Sequence, residues 1–214
     1  MKYLYLKLSE RLNLGLSFLV IIHFFGVIGL ISPLREYFII FTPITLIISA
    51  VVLFSNQLLL RRNFIIFCLF CFIGGFVAEF LGVNYGIIFG DYSYGPTLGY
   101  RVNGVPLIIG LNWLLLIYSV GVITSYYPIP TWLKIVSGGM MTTVLDVFIE
   151  PVAIEYNFWK WTNDVIPFSN YLGWFVVSMI MLAVFHLLKI RSESKIPIYF
   201  YIIQLAFFLT LWLV

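Results

Sequence analysis

Charge is what this sequence has least of: only 10% of its 214 residues are Asp, Glu, Lys or Arg. A water-soluble domain carries roughly a quarter, because its surface must be solvated. With 62% hydrophobic residues and a mean hydropathy of +1.06, most of the surface must face lipid instead. The net charge of +3 comes from scattered basic residues that form no stripe, so nucleic acid is not expected as a partner. Cysteine is nearly absent. Cys68 and Cys71 form a C-x-x-C, but inside an apolar run with no basic or polar neighbour to generate a thiolate, so they read as packing residues. Histidine is equally scarce: His23 and His186 lie in different apolar runs without the clustered partners of a metal site. Phosphate loop, dinucleotide fingerprint and H-E-x-x-H are all missing. No cofactor and no metal are expected, and no repeat or low-complexity tail is found.

What is present is a series of long apolar runs. Crossing ~30 Å of hydrocarbon takes ~20 residues of helix. Seven segments qualify: Leu14–Ile31, Tyr37–Ser55, Phe64–Leu81, Val105–Tyr126, Leu133–Ile149, Tyr171–Leu188 and Pro197–Val214. The fifth is the most polar, with Ser137, Gly138, Gly139, Thr142, Thr143 and Asp146. The first follows Lys2, Lys7 and Arg11, as a signal peptide would. Its length, and the lack of a small-x-small site after it, mark it as a retained membrane helix. The expected fold is an all-α integral membrane bundle of about seven transmembrane helices. It forms one domain over 1–214, with its motif-bearing core at 64–190. In this arrangement Lys2, Lys7, Arg11, Arg61, Arg62, Lys134, Lys189, Arg191 and Lys195 fall on one side, and Arg35, Arg101 and Lys160 on the other. The positive-inside rule then puts the N-terminus in the cytoplasm and the C-terminus outside.

Two connections are long and rich in Gly, Pro, Asn and aromatics: Gly82–Gly104 and Glu150–Asn170. Structured loops of that length concentrate function. Both abut spans that carry acids. Glu79 lies in the third span, and Asp146 in the fifth with Glu150 one turn on. An ionisable group at membrane depth costs from a few up to ~10 kcal/mol unless it faces the bundle interior or a wet cavity. Asp146 and Glu150 share a face at i, i+4, and Pro151 favours a helix break directly after Glu150. Such acids can simply pair with cations to lock helices together. Three toward one leaflet, with few intramembrane cations, point instead to function: desolvation disfavours a charged carboxyl, and a neutral one is a proton donor.

The loops also crowd aromatic rings: Tyr85, Phe89, Tyr92, Tyr94 and Tyr100 in the first, Phe158, Trp159, Trp161, Phe168, Tyr171 and Trp174 in the second. An interfacial belt accounts for some; others can line a cavity for an apolar or cationic species. Gly82, Gly86 and Gly90 recur every four residues and, if helical, form a packing stripe. Asn112 and Trp113 in the fourth span can hydrogen-bond across the bundle, or Asn112 can orient a water.

At these residues the sequence resembles the membrane carotenoid 1,2-hydratases of the γ-carotene and bisanhydrobacterioruberin type. The likeness runs from Glu79 through Asn84-Tyr85-Gly86 and Gly90-Asp91-Tyr92-Ser93-Tyr94, then over Gly104 to Trp113. It resumes at Leu145-Asp146-Val147-Phe148-Ile149-Glu150-Pro151, Phe158 to Trp161, and Ile166 to Trp174. These blocks cover about the middle half of the chain, in order. The family pattern has Trp before the Asp and a second Asp before the Pro; here Leu145 and Glu150 stand there, keeping the carboxylate with a longer reach.

The resemblance implies addition of water to a terminal 1,2 C=C of an acyclic carotenoid, without a cofactor. A carboxylic acid protonates the less substituted carbon, and water captures the tertiary cation. Carboxylates at membrane depth beside aromatic loops make Asp146 the expected proton donor, with Glu150 or Glu79 positioning or deprotonating water, the roles being interchangeable. Asp91 would sit at the cavity mouth, and Trp113, Trp159 and Trp161 would flank the cation. Tyr85, Tyr94, Asn112 and Asn170 complete the expected substrate-binding set. The expected partners are a lipid-soluble carotenoid, the bilayer, and contacts with other carotenoid enzymes. The expected location is the cytoplasmic membrane of a bacterium or archaeon. Two other readings stay open: a lycopene-type cyclase, which traps the same cation with an internal alkene, and a small proton-coupled transporter.

Overall fold

A computed structural model describes residues 2–55, 61–192 and 194–214, and side chains from residue 14 onward. The basic side chains Lys2, Lys7 and Arg11 lie outside the described ones. The chain is an all-α membrane bundle. Its helices are α1 (Lys2–Ile31), α2 (Arg35–Ile39), α3 (Thr42–Ser55), α4 (Arg62–Tyr85), α5 (Ile108–Ser125), α6 (Thr131–Glu155), α7 (Phe168–Leu187) and α8 (Ile196–Leu213). Six are long and apolar enough to cross a membrane; α3, with 14 residues, is shorter.

The expected second span is therefore corrected: Tyr37–Ser55 is not one helix but α2 and α3, with a turn at Ile40 and Phe41. At 1.5 Å per residue, α3 covers only about 21 Å. It still runs from one end of the bundle to the other. At the end where α1 finishes, the Tyr156 hydroxyl donates to the Leu30 carbonyl at 3.2 Å, and Arg35 pairs with Glu155 at 3.5 Å. At the opposite end, Asn63 at the start of α4 donates to the Leu188 carbonyl at 3.1 Å. Seven segments thus alternate between the two ends, the second of them short.

The core is α5. Every residue from Trp113 to Val122 is buried, as expected of a helix that is apolar all round and enclosed by others. It packs against α3, α4, α6, α7 and α8. The outer helices turn large apolar side chains outward, among them Phe18, Phe24, Phe25, Ile65, Leu69 and Ile73, which suits lipid. The polar α6 packs tightly. Thr142 and Thr143 turn their hydroxyls onto the Gly139 carbonyl at 2.8 and 2.9 Å, satisfying themselves inside the helix. At Gly138 a β-carbon would come within 2.6 Å of Leu182, so α7 approaches closely there.

Pro151 does not break α6, contrary to the expectation above; the helix continues to Glu155. Proline is tolerated inside membrane helices where neighbouring groups re-satisfy the backbone. Glu150 is therefore within the helix, 1% exposed, and not at an end. The glycine stripe is also corrected. Gly82 is helical, but Gly86 is the left-handed C-cap of α4 (φ 65°) and Gly90 lies beyond the helix with φ 119°.

Past these glycines the chain forms β1 (Tyr92–Tyr94), β2 (Arg101–Val102) and β3 (Val105–Pro106), and after α6 it forms β4 (Trp159–Trp161). β2 and β3 make a small hairpin. β1 and β4 pair antiparallel, with Tyr92 opposite Trp161, Ser93 opposite Lys160 and Tyr94 opposite Trp159. The two long loops thus meet as one ribbon across the end of the bundle.

Candidate active site

A strand turns alternate side chains to opposite faces. In β1, Tyr92 and Tyr94 point inward and Ser93 outward; in β4, Trp159 and Trp161 point inward and Lys160 outward. Four rings therefore hang from one face of the ribbon into the bundle. The Tyr92 and Trp161 ring centres are 5.0 Å apart, and those of Tyr94 and Trp159 5.9 Å.

Each strand serves one glutamate. The hydroxyls of Tyr92 and Tyr94 both donate to Glu79 Oε2, the latter at 2.6 Å, and Trp113 Nε1 donates to Glu79 Oε1 at 2.8 Å. Trp159 Nε1 and Trp161 Nε1 donate to Glu150 Oε2 at 3.0 and 2.7 Å. Asn170 on α7 closes the set: its amide nitrogen donates to Glu150 Oε1 at 2.9 Å and to Asp146 Oδ2 at 2.8 Å. The single ion pair among the described residues, Arg35 with Glu155, is exposed and elsewhere. Hydrogen bonds from neutral donors hold these acids.

Local structure explains why the parts meet. Gly82 lies one turn beyond Glu79's neighbour Ala78 on α4, and a β-carbon there would come within 2.8 Å of the Tyr92 ring and hydroxyl. Its missing side chain lets Tyr92 reach Glu79. Gly86 then turns the chain out of α4 in a conformation that glycine adopts without strain. Trp113 stacks on Trp174 with ring centres 4.2 Å apart and planes 24° from parallel, which fixes the indole that serves Glu79.

The donors divide unequally. Glu79 and Glu150 each accept three hydrogen bonds. Asp146, fully buried, accepts one, and its Oδ1 has no partner among the described residues. An indole N–H can only donate, so Glu150 Oε2, held by two of them, must be an acceptor. That leaves Oε1 as the Glu150 oxygen able to carry a proton. Burial, and then the Glu79 carboxyl beside them, push both tyrosine hydroxyls up from their ordinary value, so they keep their protons across any working pH.

Two cavities adjoin. A small one, about 20 Å³, is lined by Glu79, Glu150, Asn112 and Asn170 together with Phe89, Tyr92, Tyr94, Ile109, Trp159, Trp161 and Trp174. That is room for about one water. A larger one, about 110 Å³, is lined mostly by apolar side chains of α1, α2, α3, α5, α6 and α8, and it shares Ile109, Asn112 and Trp159 with the first.

Of the expected residues, Glu79, Glu150, Tyr94, Asn112, Trp159, Trp161 and Asn170 line the small cavity. Trp113 stands directly behind Glu79, and Asp146 behind Asn170. Two are not brought in. Tyr85 is 65% exposed and packs on Phe80, while Asp91 is exposed on the ribbon's approach, its carbonyl accepting from Thr162 N–H at 3.0 Å. Tyr92, Phe89 and Trp174 were absent from the expected set. The alternation Tyr-Ser-Tyr and Trp-Lys-Trp was the available signal: each triplet puts both rings on one face if it is a strand.

The chain's scarce polar groups elsewhere are accounted for separately. His23 hydrogen-bonds the Leu19 carbonyl at 2.8 Å and Gln204 at 2.9 Å; His186 lies 3.3 Å from the Thr124 hydroxyl. Cys68 and Cys71 are free thiols.

A family profile described as carotenoid biosynthesis protein matches residues 35–214. No curated protein and no solved structure gives a match.

Proposed function

Because the chain belongs to the carotenoid biosynthesis protein family and so has a role in making carotenoids, we propose that it is a hydratase that adds water across the terminal C=C of an acyclic carotenoid. The observation that carries this reading is the juxtaposition of three acids without a cation partner among the described residues, a cavity the size of one water, and a mostly apolar cavity that shares Ile109, Asn112 and Trp159 with it. Hydration of an unactivated alkene needs a strong acid, one water and little else.

In this mechanism the proton resides on the Asp146–Glu150 pair. Asp146 is the acid with the fewest donors, and Glu150 is the member of the pair that lines the cavity. The O–H bond at Glu150 Oε1 breaks as a C–H bond forms at the less substituted alkene carbon, and Asp146 replenishes that proton. The other carbon becomes a tertiary cation, flanked by the faces of Trp159, Trp161 and Trp174, which stabilise positive charge. A water oxygen forms the C–O bond. Its proton passes to Glu79, whose charge Tyr92, Tyr94 and Trp113 stabilise by three hydrogen bonds, and returns through the cavity to the Asp146–Glu150 pair. The sum is alkene plus water giving a tertiary alcohol.

The test is expression in cells that accumulate lycopene or γ-carotene, followed by mass analysis of the pigments. A product heavier by one water is expected. Asp146→Asn and Glu79→Gln should each abolish it while the protein still inserts. A new ring at unchanged mass would assign a cyclase instead, and full activity in both variants would remove acid catalysis from these residues.

A further inference from the structure

The boundary between the two cavities consists of three side chains, Ile109, Asn112 and Trp159. Ile109 has no polar group. Trp159 commits its indole N–H to Glu150. Asn112, half-buried on the first turns of α5, makes no side-chain hydrogen bond among the described residues. It therefore presents an uncommitted amide, one acceptor and two donor hydrogens, where the water-sized space meets the hydrocarbon space.

That position matters for a tertiary cation, which has two fates. Water can add, or a neighbouring C–H can lose its proton and restore an alkene. The first fate requires a water already oriented, with a lone pair toward the cationic carbon, when the charge forms. A carboxylate there would pair with the cation directly, and an apolar side chain would fix no water. A neutral amide can accept from one water hydrogen and leave the lone pair free.

We infer that Asn112 is a positioning residue: it holds the capturing water at the junction of the two cavities and so sets the ratio of alcohol formation to proton loss. This rests on the hydration reading above. The bonds balance in both branches. In capture, the water oxygen bonds to the cationic carbon and its proton goes to Glu79; in loss, a C–H bond breaks, its pair forms C=C, and the proton goes to a carboxylate.

The two branches separate in deuterium oxide. Membranes carrying the full chain are supplied with an acyclic carotene, and both alcohol and recovered alkene are analysed for deuterium. Protonation followed by proton loss leaves deuterium in the alkene end group without net hydration. For Asn112→Leu and Asn112→Val, the ratio of alcohol to deuterated alkene should fall by about tenfold or more, the effect of losing roughly one hydrogen bond's worth of orientation. Asn112→Gln, which keeps the amide, should recover part of the ratio.

A purely structural role would lower both products together and leave the ratio where it was. An unchanged ratio, or joint loss of both products in whichever apolar variant inserts, overturns the assignment. Absence of both alcohol and deuterium uptake in the unaltered protein would instead strike the hydration reading itself.

Discussion

Glu79 and Glu150 each accept from three donors, whereas Asp146 has one and leaves Oδ1 unpartnered. At the scale of single residues this makes the donors as important as the acids. A hydrogen bond to a buried charged group contributes about 1.5–3 kcal/mol. Trp161→Phe keeps most of the ring but removes the N–H that reaches Glu150 at 2.7 Å. It should slow product formation by about ten- to a hundredfold, measured as pigment formed per amount of inserted protein. Ser93→Ala, on the outward face of the ribbon, should leave the rate unchanged. The acids themselves were legible in the sequence, because an ionisable residue in an apolar run stands out. Asp91 and Tyr85 fall outside the lining of the small cavity, because proximity along a loop says nothing of which way a side chain faces.

At the scale of elements, the deciding piece is the ribbon of β1 and β4. Its strands have three residues each and lie in loops separated by α5 and α6. Strands so short would not be stable alone; they are held by their rings packing inward and by hydrogen bonds to α4 and α6. The contact most sensitive to substitution is Gly82 against Tyr92. Gly82→Ala would place a methyl 2.8 Å from the Tyr92 ring and hydroxyl. Overpacking of this kind typically costs about 1–3 kcal/mol. The expected result is a protein that inserts normally yet loses most of the proposed hydration activity. Retention of wild-type activity would show that the Tyr92 contact with Glu79 is dispensable. Helix positions, by contrast, were readable in advance: the observed α4 to α8 fall within a few residues of the expected spans, α6 running furthest beyond, past Pro151. The exception is the second span, where Thr42-Pro43 directly after the turn at Ile40 and Phe41 marks a new helix start inside an otherwise apolar run.

For the whole molecule, seven segments alternating between two ends predict which positions are reached from which side. Asn157, next to the ribbon, and Lys189, beyond α7, lie at opposite ends. Cysteines introduced at these two positions should react with a membrane-impermeant reagent from opposite faces of sealed vesicles. The same face for both would refute the topology. Arg35 and Glu155, both exposed at 58% and 66% of their side chains, join the α2 end to the end of α6. A pair so solvated contributes about 0–1 kcal/mol, so Arg35→Ala should leave thermal stability in detergent nearly unchanged.

Composition and order along the chain already reveal the solvent of this protein, the approximate spacing of its spans and the acids within them. Each of these is written in local composition: too few charges for water, runs long enough for lipid, and carboxyls where lipid should exclude them. Packing in three dimensions sets which donor serves which carboxyl, stands Asp146 behind the cavity that Glu79 and Glu150 face, and makes Asn112 a lining residue of both chambers. Those relations join residues far apart in the chain through two three-residue strands, and so short an alternation acquires a direction only when its partner strand is beside it.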